Sequence, residues 1–190
     1  MPDLSVHLTT PRLLLRPLEA ADAPALFAIL SDPLVMQYWN TPAWAGEAVA
    51  QDFIRAECQA MQDGQRLTLA IVDRNSGELI GKCLLFSYQP ESRRAEIGFG
   101  IASSAWGQGY IQEAARELLR HGFEALGLNR VEAEIDPSNA ASGRALERLG
   151  FSKEGLLRQR WIIEGQVSDS ALYGLLSEDW YSLQDRQQQR

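Results

Sequence analysis

The sequence is poor in the residues that build disulfide frameworks and metal sites. Its 190 residues include two cysteines and two histidines, and neither pair has the spacing of a metal motif or a disulfide framework. No apolar run approaches the roughly 18 residues of a membrane-spanning helix, and residues 1–7 lack the basic and apolar segments of a secretory signal. These absences predict a metal-free protein of the cytoplasm with no membrane partner.

The sequence also has fewer basic than acidic residues. The chain has 18 Lys and Arg against 25 Asp and Glu, a formal net charge of −7 at pH 7. Nucleic-acid surfaces need a basic stripe that pairs with phosphates, so the composition argues against a nucleic-acid partner. An acidic surface steers cations, but simple solubility explains the same charge, and the charge therefore selects no substrate.

Hydrophobic periodicity predicts a single mixed α/β domain over residues 1–183, followed by a polar C-terminal tail over 184–190. Period-two alternation indicates strands, and apolar residues at helical spacing indicate helices. The predicted strands cover 12–17, 66–73, 79–87, 95–101, 130–135, 153–163 and 167–176. The predicted helices cover 21–31, 46–62, 109–126 and 139–149.

A pair of glycines opens the most clearly amphipathic helix. Gly107 and Gly109 lie between the strand over 95–101 and the helix over 109–126. Glycines at a helix N-terminus let backbone amides face outward, where the helix dipole favours an anion. The segment 104–111 therefore suits a phosphate or pyrophosphate, and the alternative is a simple tight turn.

A second polar segment precedes the next helix. Pro137 ends the strand over 130–135, Ser138 or Asn139 can cap the helix that follows, and Gly150 is typical of the residue just past a helix end. On these residues alone, helix capping and first-turn solvation account for Asn139 and Ser142.

Together, segments 104–111 and 136–151 resemble the GNAT N-acetyltransferase superfamily, and more narrowly its ribosomal-protein alanine and serine N-acetyltransferases. Segments at the front (8–18 and 31–35) and at the back (150–155 and 164–169) match that branch in the same order. The resemblance implies an α/β (α+β) fold with a mixed, twisted sheet of about seven strands and about four flanking helices. It also implies that the fourth and fifth strands splay apart to admit acetyl-CoA.

The resemblance implies acetyl-CoA as cosubstrate and no metal. Loop amides would hold the pyrophosphate, and the pantetheine arm would pair with the fourth strand like an added strand. The start of the predicted helix over 139–149 would contact the arm and the thioester sulfur. The implied residues are Phe99, Gly100, Ile101, Trp106, Gly107, Gln108, Gly109, Tyr110, Ile111, Asn139 and Ser142. The loop departs from the family pattern at Trp106, where Gln or Arg is usual, and at Ile111, where a small residue is usual.

The implied reaction is direct attack of an amine on the acetyl thioester, with an oxyanion donor on the fourth strand around Ile101. Glu96, on the same strand, is the candidate general base, acting through water. The plain alternative is that Glu96 pairs with Arg93 or Arg94. Glu132 and Glu134 share one face of the next strand and are weaker rivals for the role of base.

The proton donor for the CoA thiolate is less clearly implied. Many family members use a tyrosine in the fourth helix, which is predicted here over 139–149, and this chain has Leu146 at that position. Ser142 is the next candidate, either as the acid or only as a pantetheine contact. If neither group acts, catalysis rests on positioning and water.

The acceptor site is implied only by analogy. Tyr38 and Trp39 lie in an aromatic, turn-rich segment that borders the acceptor cleft in the family, opposite a hairpin around Trp161 and Tyr173. Their rings suit a peptide or a cationic amine, or serve as plain packing.

Three functions follow from the resemblance. The leading one is acetylation of a protein N-terminal α-amine, as in ribosomal-protein enzymes. The second is acetylation of a small amine such as a polyamine, an amino acid or an aminoglycoside, and the third is a non-catalytic acyl-CoA-binding module. The expected assembly is a monomer or a homodimer.

Overall fold

The computed structural model describes residues 6–188 and contains, within that range, eight strands and six α-helices. The strands are β1 (Leu8–Thr9), β2 (Leu13–Pro17), β3 (Leu67–Asp73), β4 (Leu79–Gln89), β5 (Arg94–Ile101), β6 (Arg130–Ile135), β7 (Ser152–Ile163) and β8 (Gln166–Leu176). The helices are α1 (Ala23–Leu30), α2 (Pro33–Met36), α3 (Glu47–Gln62), α4 (Tyr110–Glu124), α5 (Ala140–Leu149) and α6 (Ser177–Gln188).

The strands form one mixed sheet in the order β1-β2-β3-β4-β5-β6-β8-β7. All neighbours are antiparallel except β5 and β6, which are parallel. The predicted fold class is confirmed, and the predicted strands correspond to β2–β8. The short elements β1 and α2 and the C-terminal helix α6 were not predicted.

Helices cover both faces of the sheet. Alternate residues of β3 enter different apolar clusters: Leu69 joins a cluster with Leu118 of α4, whereas Ala70 joins one with Leu26 of α1 and Ile54 of α3. Because successive strand residues point to opposite faces, α4 and α5 lie on one face of the sheet and α1 and α3 on the other. The centre of the sheet is therefore buried on both sides.

The strands β5 and β6 separate after three residue pairs. Their register runs from Arg94 opposite Arg130 to Glu96 opposite Glu132, and no pairing follows, although β5 continues to Ile101. Each strand stays paired on its outer side, β5 with β4 and β6 with β8. The splay predicted between the fourth and fifth strands is thus present, between β5 and β6 in the numbering of the structure.

Ion pairs hold the closed end of this splay. Arg94 of β5 pairs with Glu132 of β6. Arg130 also binds Glu132, at 2.8 Å, and reaches Glu154 of β7. These contacts tie three strands together at the point from which the gap opens.

The C-terminal helix α6 includes residues 184–188, which the sequence analysis assigned to a polar tail. Its Trp180 is buried and stacks on Phe123 of α4 with ring centroids 5.5 Å apart. The remaining tail residues, 189–190, lie outside the described residues. Within residues 6–188, none of the helices is long and apolar enough to span a membrane.

Candidate active site

A cleft of about 430 Å³ opens where β5 and β6 separate. Its walls come from β4, β5, β6, the β7–β8 hairpin, the start of α5 and the turn after α2. The cleft brings together part of the predicted site, namely Tyr38, Trp39, Glu96, Phe99, Asn139 and Ser142. The predicted phosphate loop at 106–111 is not part of this lining.

Two of the three candidate bases are committed to other partners. Glu132 binds Arg94 and Arg130, and although burial acts to raise its pKa, these hydrogen bonds hold that pKa below its ordinary value. Glu134 accepts a hydrogen bond from Trp161 Nε1 at 2.8 Å. The Glu132 carboxylate is therefore stabilised in the charged form rather than poised to accept a proton.

Glu96 has a different environment. Among residues 6–188 no side chain forms a hydrogen bond or an ion pair with its carboxyl group, and Arg94, one of the two partners in the alternative interpretation, binds Glu132 instead. Burial, followed by repulsion from Glu134 and Glu132, raises the pKa of Glu96 to about 7. A carboxyl group that titrates near neutral pH can accept a proton from a bound amine or water.

The backbone of β5 presents hydrogen-bonding groups to the gap. Directly after β5, the amide of Ala102 donates to the carbonyl of Ile80 in β4, at 2.8 Å. Since these groups alternate along an antiparallel strand, Gly100 also faces β4, whereas Phe99 and Ile101 face the side where β6 has moved away. Gly100 therefore differs from expectation, because its amide and carbonyl are not directed into the gap.

Because Gly100 has no side chain, the Trp39 indole can pack against the backbone of β5. A Cβ atom at this position would lie 2.6 Å from Cζ2 of Trp39, so the indole packs directly on the strand backbone. Trp106 contacts the same end of the strand, because its indole N–H donates to the carbonyl of Ile101 at 3.1 Å. Ile101 consequently offers its amide to the gap more readily than its carbonyl.

The phosphate loop has the backbone geometry that the glycines predict. Gly107 and Gly109 adopt left-handed φ angles of 73° and 78°, and α4 begins directly afterwards at Tyr110. In the part of the chain that the structure describes, no side chain caps this helix end, and no atom lies within 4 Å of a hypothetical Cβ atom at Gly107. The first amides of α4 are therefore open to an anion.

Distant residues hold this loop in place. Arg12 donates to the carbonyl of Gln108 at 2.9 Å and to Glu113 of α4 at 2.7 Å, and its guanidinium lies 4.5 Å from the centre of the Tyr110 ring. The Tyr110 hydroxyl donates to Asp73 at 2.8 Å. Sequence analysis missed these contacts because they join segments far apart in the chain.

The start of α5 combines capping with a position in the cleft. The Asn139 side-chain oxygen accepts a hydrogen bond from the amide of Ser142 at 3.1 Å, as an N-cap does. Leu146 lies on the same cleft wall and carries no proton donor. Trp161 also lines the cleft, whereas Tyr173 is buried in the core with its hydroxyl beside α5.

Lys82 of β4 lines the cleft and was not foreseen. Its residue exposure is 4%, and its Nζ atom lies 5.0 Å from the ring centres of both Trp39 and Phe53. Burial lowers the pKa of Lys82 to about 8. The only available sequence signal was a single charge inside the otherwise apolar segment 79–86.

Comparison with known proteins identifies the family. A family model described as "Acetyltransferase (GNAT) domain" matches residues 12–152, the part of the chain that carries β2 to α5. The chain belongs to the GNAT acetyltransferase family. Enzymes of this family acetylate amine acceptors with acetyl-CoA.

Relatives of this GNAT protein include the N-acetyltransferase p20 of Bacillus licheniformis, 36% identical over 173 residues that cover 91% of this chain and 97% of the relative. The ribosomal protein uS5-alanine N-acetyltransferase of Escherichia coli is 30% identical over 120 residues, 63% of this chain and 62% of the relative. The predicted resemblance to the ribosomal-protein branch is confirmed in this respect.

A solved structure shows the same fold at lower identity. Spermidine N-acetyltransferase from Vibrio cholerae, in complex with CoA and spermine, has a TM-score of 0.80 and 22% identity, covering 90% of this chain and 99% of its own. Within residues 6–188 of the GNAT protein described here, no group of three or more His, Cys, Asp or Glu could hold a metal ion.

Replacing Glu96 by Gln should raise the thermal unfolding temperature at pH 8 and leave it nearly unchanged at pH 4. The folded-state pKa is about 7 and the ordinary value 4.5, so stability falls as pH rises between them and stays reduced above pH 7. Scanning calorimetry at both pH values measures the effect.

Glu132→Gln is the matched control on the neighbouring strand. Its pKa is lowered in the folded protein, so its charge contributes stability above the ordinary pKa, and its replacement should lower the unfolding temperature at pH 8. A decrease for both variants would contradict the assignment of Glu96 as a destabilised, unpaired carboxyl group.

Proposed function

We propose that this GNAT acetyltransferase transfers the acetyl group of acetyl-CoA to the α-amine of a protein N-terminus, in the cytoplasm and by direct attack. The observation that carries the proposal is the unpaired Glu96 carboxyl group, with its pKa of about 7, in the cleft between β5 and β6. A non-catalytic acyl-CoA-binding module would have no use for such a group, because an unpaired buried carboxyl group costs stability.

Glu96 removes a proton from the acceptor amine through a water molecule. At pH 7 about one α-amine in ten is already neutral, given its pKa near 8, whereas a lysine-type amine is neutral in only about one molecule in 2,500. A base with a pKa of about 7 is well matched to the α-amine, because the difference between the two pKa values is small.

Acetyl-CoA supplies the activated thioester, and several parts of the chain fit its binding. The amides at the start of α4 would hold the pyrophosphate, together with the loop from Trp106 to Ile111. The amides of Phe99 and Ile101 would pair with the pantetheine arm, and one of them would stabilise the oxyanion. Asn139 would contact the arm, and Ser142 would lie close to the sulfur, where its hydroxyl can donate a proton to the thiolate or only bind the arm.

The acceptor would approach along the wall formed by Tyr38, Trp39 and Trp161. The E. coli relative is named for an alanine of a ribosomal protein, which supports an N-terminal α-amine as acceptor. The partly buried aromatic rings fit the residues that follow the amine in a peptide.

Small cationic amines are the second candidate acceptors. Three carboxylates besides Glu96 line the cleft, on Glu134, Asp136 and Asp169, and carboxylates attract ammonium groups. Lys82 in the same cleft opposes a multiply charged amine. We therefore rank the peptide α-amine first.

CoA-thiol release against a panel of amines tests the assignment. Peptides with N-terminal Ala, Ser or Thr should be turned over, and the same peptides with blocked α-amines should not react. Spermidine and an aminoglycoside complete the panel. Faster turnover of these small amines than of every peptide would contradict the N-terminal assignment, because the peptide residues beyond the amine would then contribute nothing.

Glu96→Gln should lower kcat/KM at pH 7 by about 10²–10⁴-fold, the usual contribution of a positioned base. The wild-type profile should rise through pH 7 as the carboxyl group ionises. The loss in the variant should shrink as pH approaches the pKa of the acceptor amine, because a neutral amine needs no base.

Ser142→Ala serves as the control on the opposite wall of the cleft. It preserves the base, so its kcat/KM should keep the wild-type rise through pH 7 even if turnover is slower. A Glu96→Gln loss that is equal at all pH values would contradict the role of Glu96 as base and indicate a structural effect instead.

A further inference from the structure

Lys82 is a buried residue whose ammonium group contacts aromatic rings rather than a carboxylate. Among residues 6–188 it forms no hydrogen bond or ion pair, and its head lies between the rings of Trp39 and Phe53, 5.0 Å from each centre. Buried charges are normally paired, because water solvates an ion far better than apolar side chains do. Cation–π contact compensates only part of that loss.

The charged groups around Lys82 leave it easy to deprotonate. Burial is the largest influence and lowers its pKa to about 8; Glu57 and Cys83 act in the opposite direction, and Arg66 adds to the lowering. Glu57 is itself bound to Arg66, at 2.9 Å, and to Thr68. About half of the Lys82 side chains are therefore neutral at pH 8, against roughly one in 250 for an ordinary lysine.

The position of Lys82 matches the proposed path of the acetyl donor. Lys82 pairs with Gly100 in the β4–β5 register, and the residues on either side of Gly100, Phe99 and Ile101, direct their amides into the gap. Trp39 contacts both Lys82 and the face of Gly100. Lys82 and Phe99 line the same cleft.

We propose that Lys82 is a site of self-acetylation by acetyl-CoA bound in the same molecule. The lone pair of the neutral Nζ attacks the thioester carbonyl, a C–N bond forms and the C–S bond breaks. CoA leaves as the thiolate, and the proton lost from Nζ converts it to the free thiol, so the products are acetyl-lysine and CoA. The inference rests on the proposed function, because it needs acetyl-CoA in the gap.

The composition of the chain provides an internal reference. Lys153 is the only other lysine in the sequence, and it is exposed on β7. Random chemical acetylation should affect Lys153 at least as much as Lys82, because Lys153 is accessible to solvent. Preferential modification of the buried lysine requires delivery of the acetyl group inside the cleft.

The experiment incubates the wild-type protein at pH 8 with acetyl-CoA carrying a deuterated acetyl group and no acceptor amine. Peptide mass spectrometry then locates the label. We expect Lys82 to be labelled at least about tenfold more than Lys153, because Lys82 lines the cleft that would hold the thioester, whereas Lys153 is exposed on β7. The labelling rate should rise up to about pH 8 and then level off. Lys153→Arg should leave the labelling of Lys82 unchanged, and Lys82→Arg should abolish it.

A wild-type protein with no label on Lys82, or with equal label on both lysines, overturns the inference without reference to any variant. Stabilisation by CoA and turnover of a peptide are measured on the same sample. If both occur while Lys82 stays unlabelled, self-acetylation is refuted and the proposed function stands. If neither occurs and Lys82 is unlabelled, both are refuted.

Discussion

The short parallel pairing of β5 with β6 is the constraint on which the site depends. Three residue pairs join the strands, and the ion pairs of Glu132 with Arg94 and Arg130 hold that end closed. Beyond them, each strand stays bound only to its outer neighbour, so a gap remains between two rigid edges. The gap exposes amides of β5 that would form hydrogen bonds with β6 if the two strands stayed paired. An extended ligand can take the place of the missing strand.

The ion pairs of Glu132 with Arg94 and Arg130 also give the acidic groups of the site different environments. Glu132 takes both arginines and stays charged, Glu134 is held by Trp161, and Glu96 has no such partner beside these two negative charges. The end of the β5–β6 pairing therefore leaves Glu96 at the edge of the cleft, where burial, followed by repulsion from Glu134 and Glu132, raises its pKa. The unpaired Glu96 carboxyl group lowers stability above neutral pH, and carboxyl groups of this kind are common at active sites, which fits the role proposed for Glu96.

Local sequence signals predicted much of this site. The helical periodicity after Gly109 and the helix-capping residue Asn139 place the starts of α4 and α5 correctly, because both depend on neighbouring residues. The roles of Arg12 and Lys82 depend on contacts with residues far along the chain, and no local pattern reveals them. The helix α6 was missed because it has no apolar stripe: Trp180 is the one buried residue among positions 177–186 of this helix.

Amide hydrogen exchange of β5 with and without CoA tests the central claim most directly. If CoA completes the sheet, the amides of Phe99 and Ile101 should become protected, whereas those of Gly98 and Gly100, already directed to β4, should change little. Residue-resolved NMR exchange rates measure this alternation. Uniform protection along the strand, or protection confined to residues outside β5, would contradict the account.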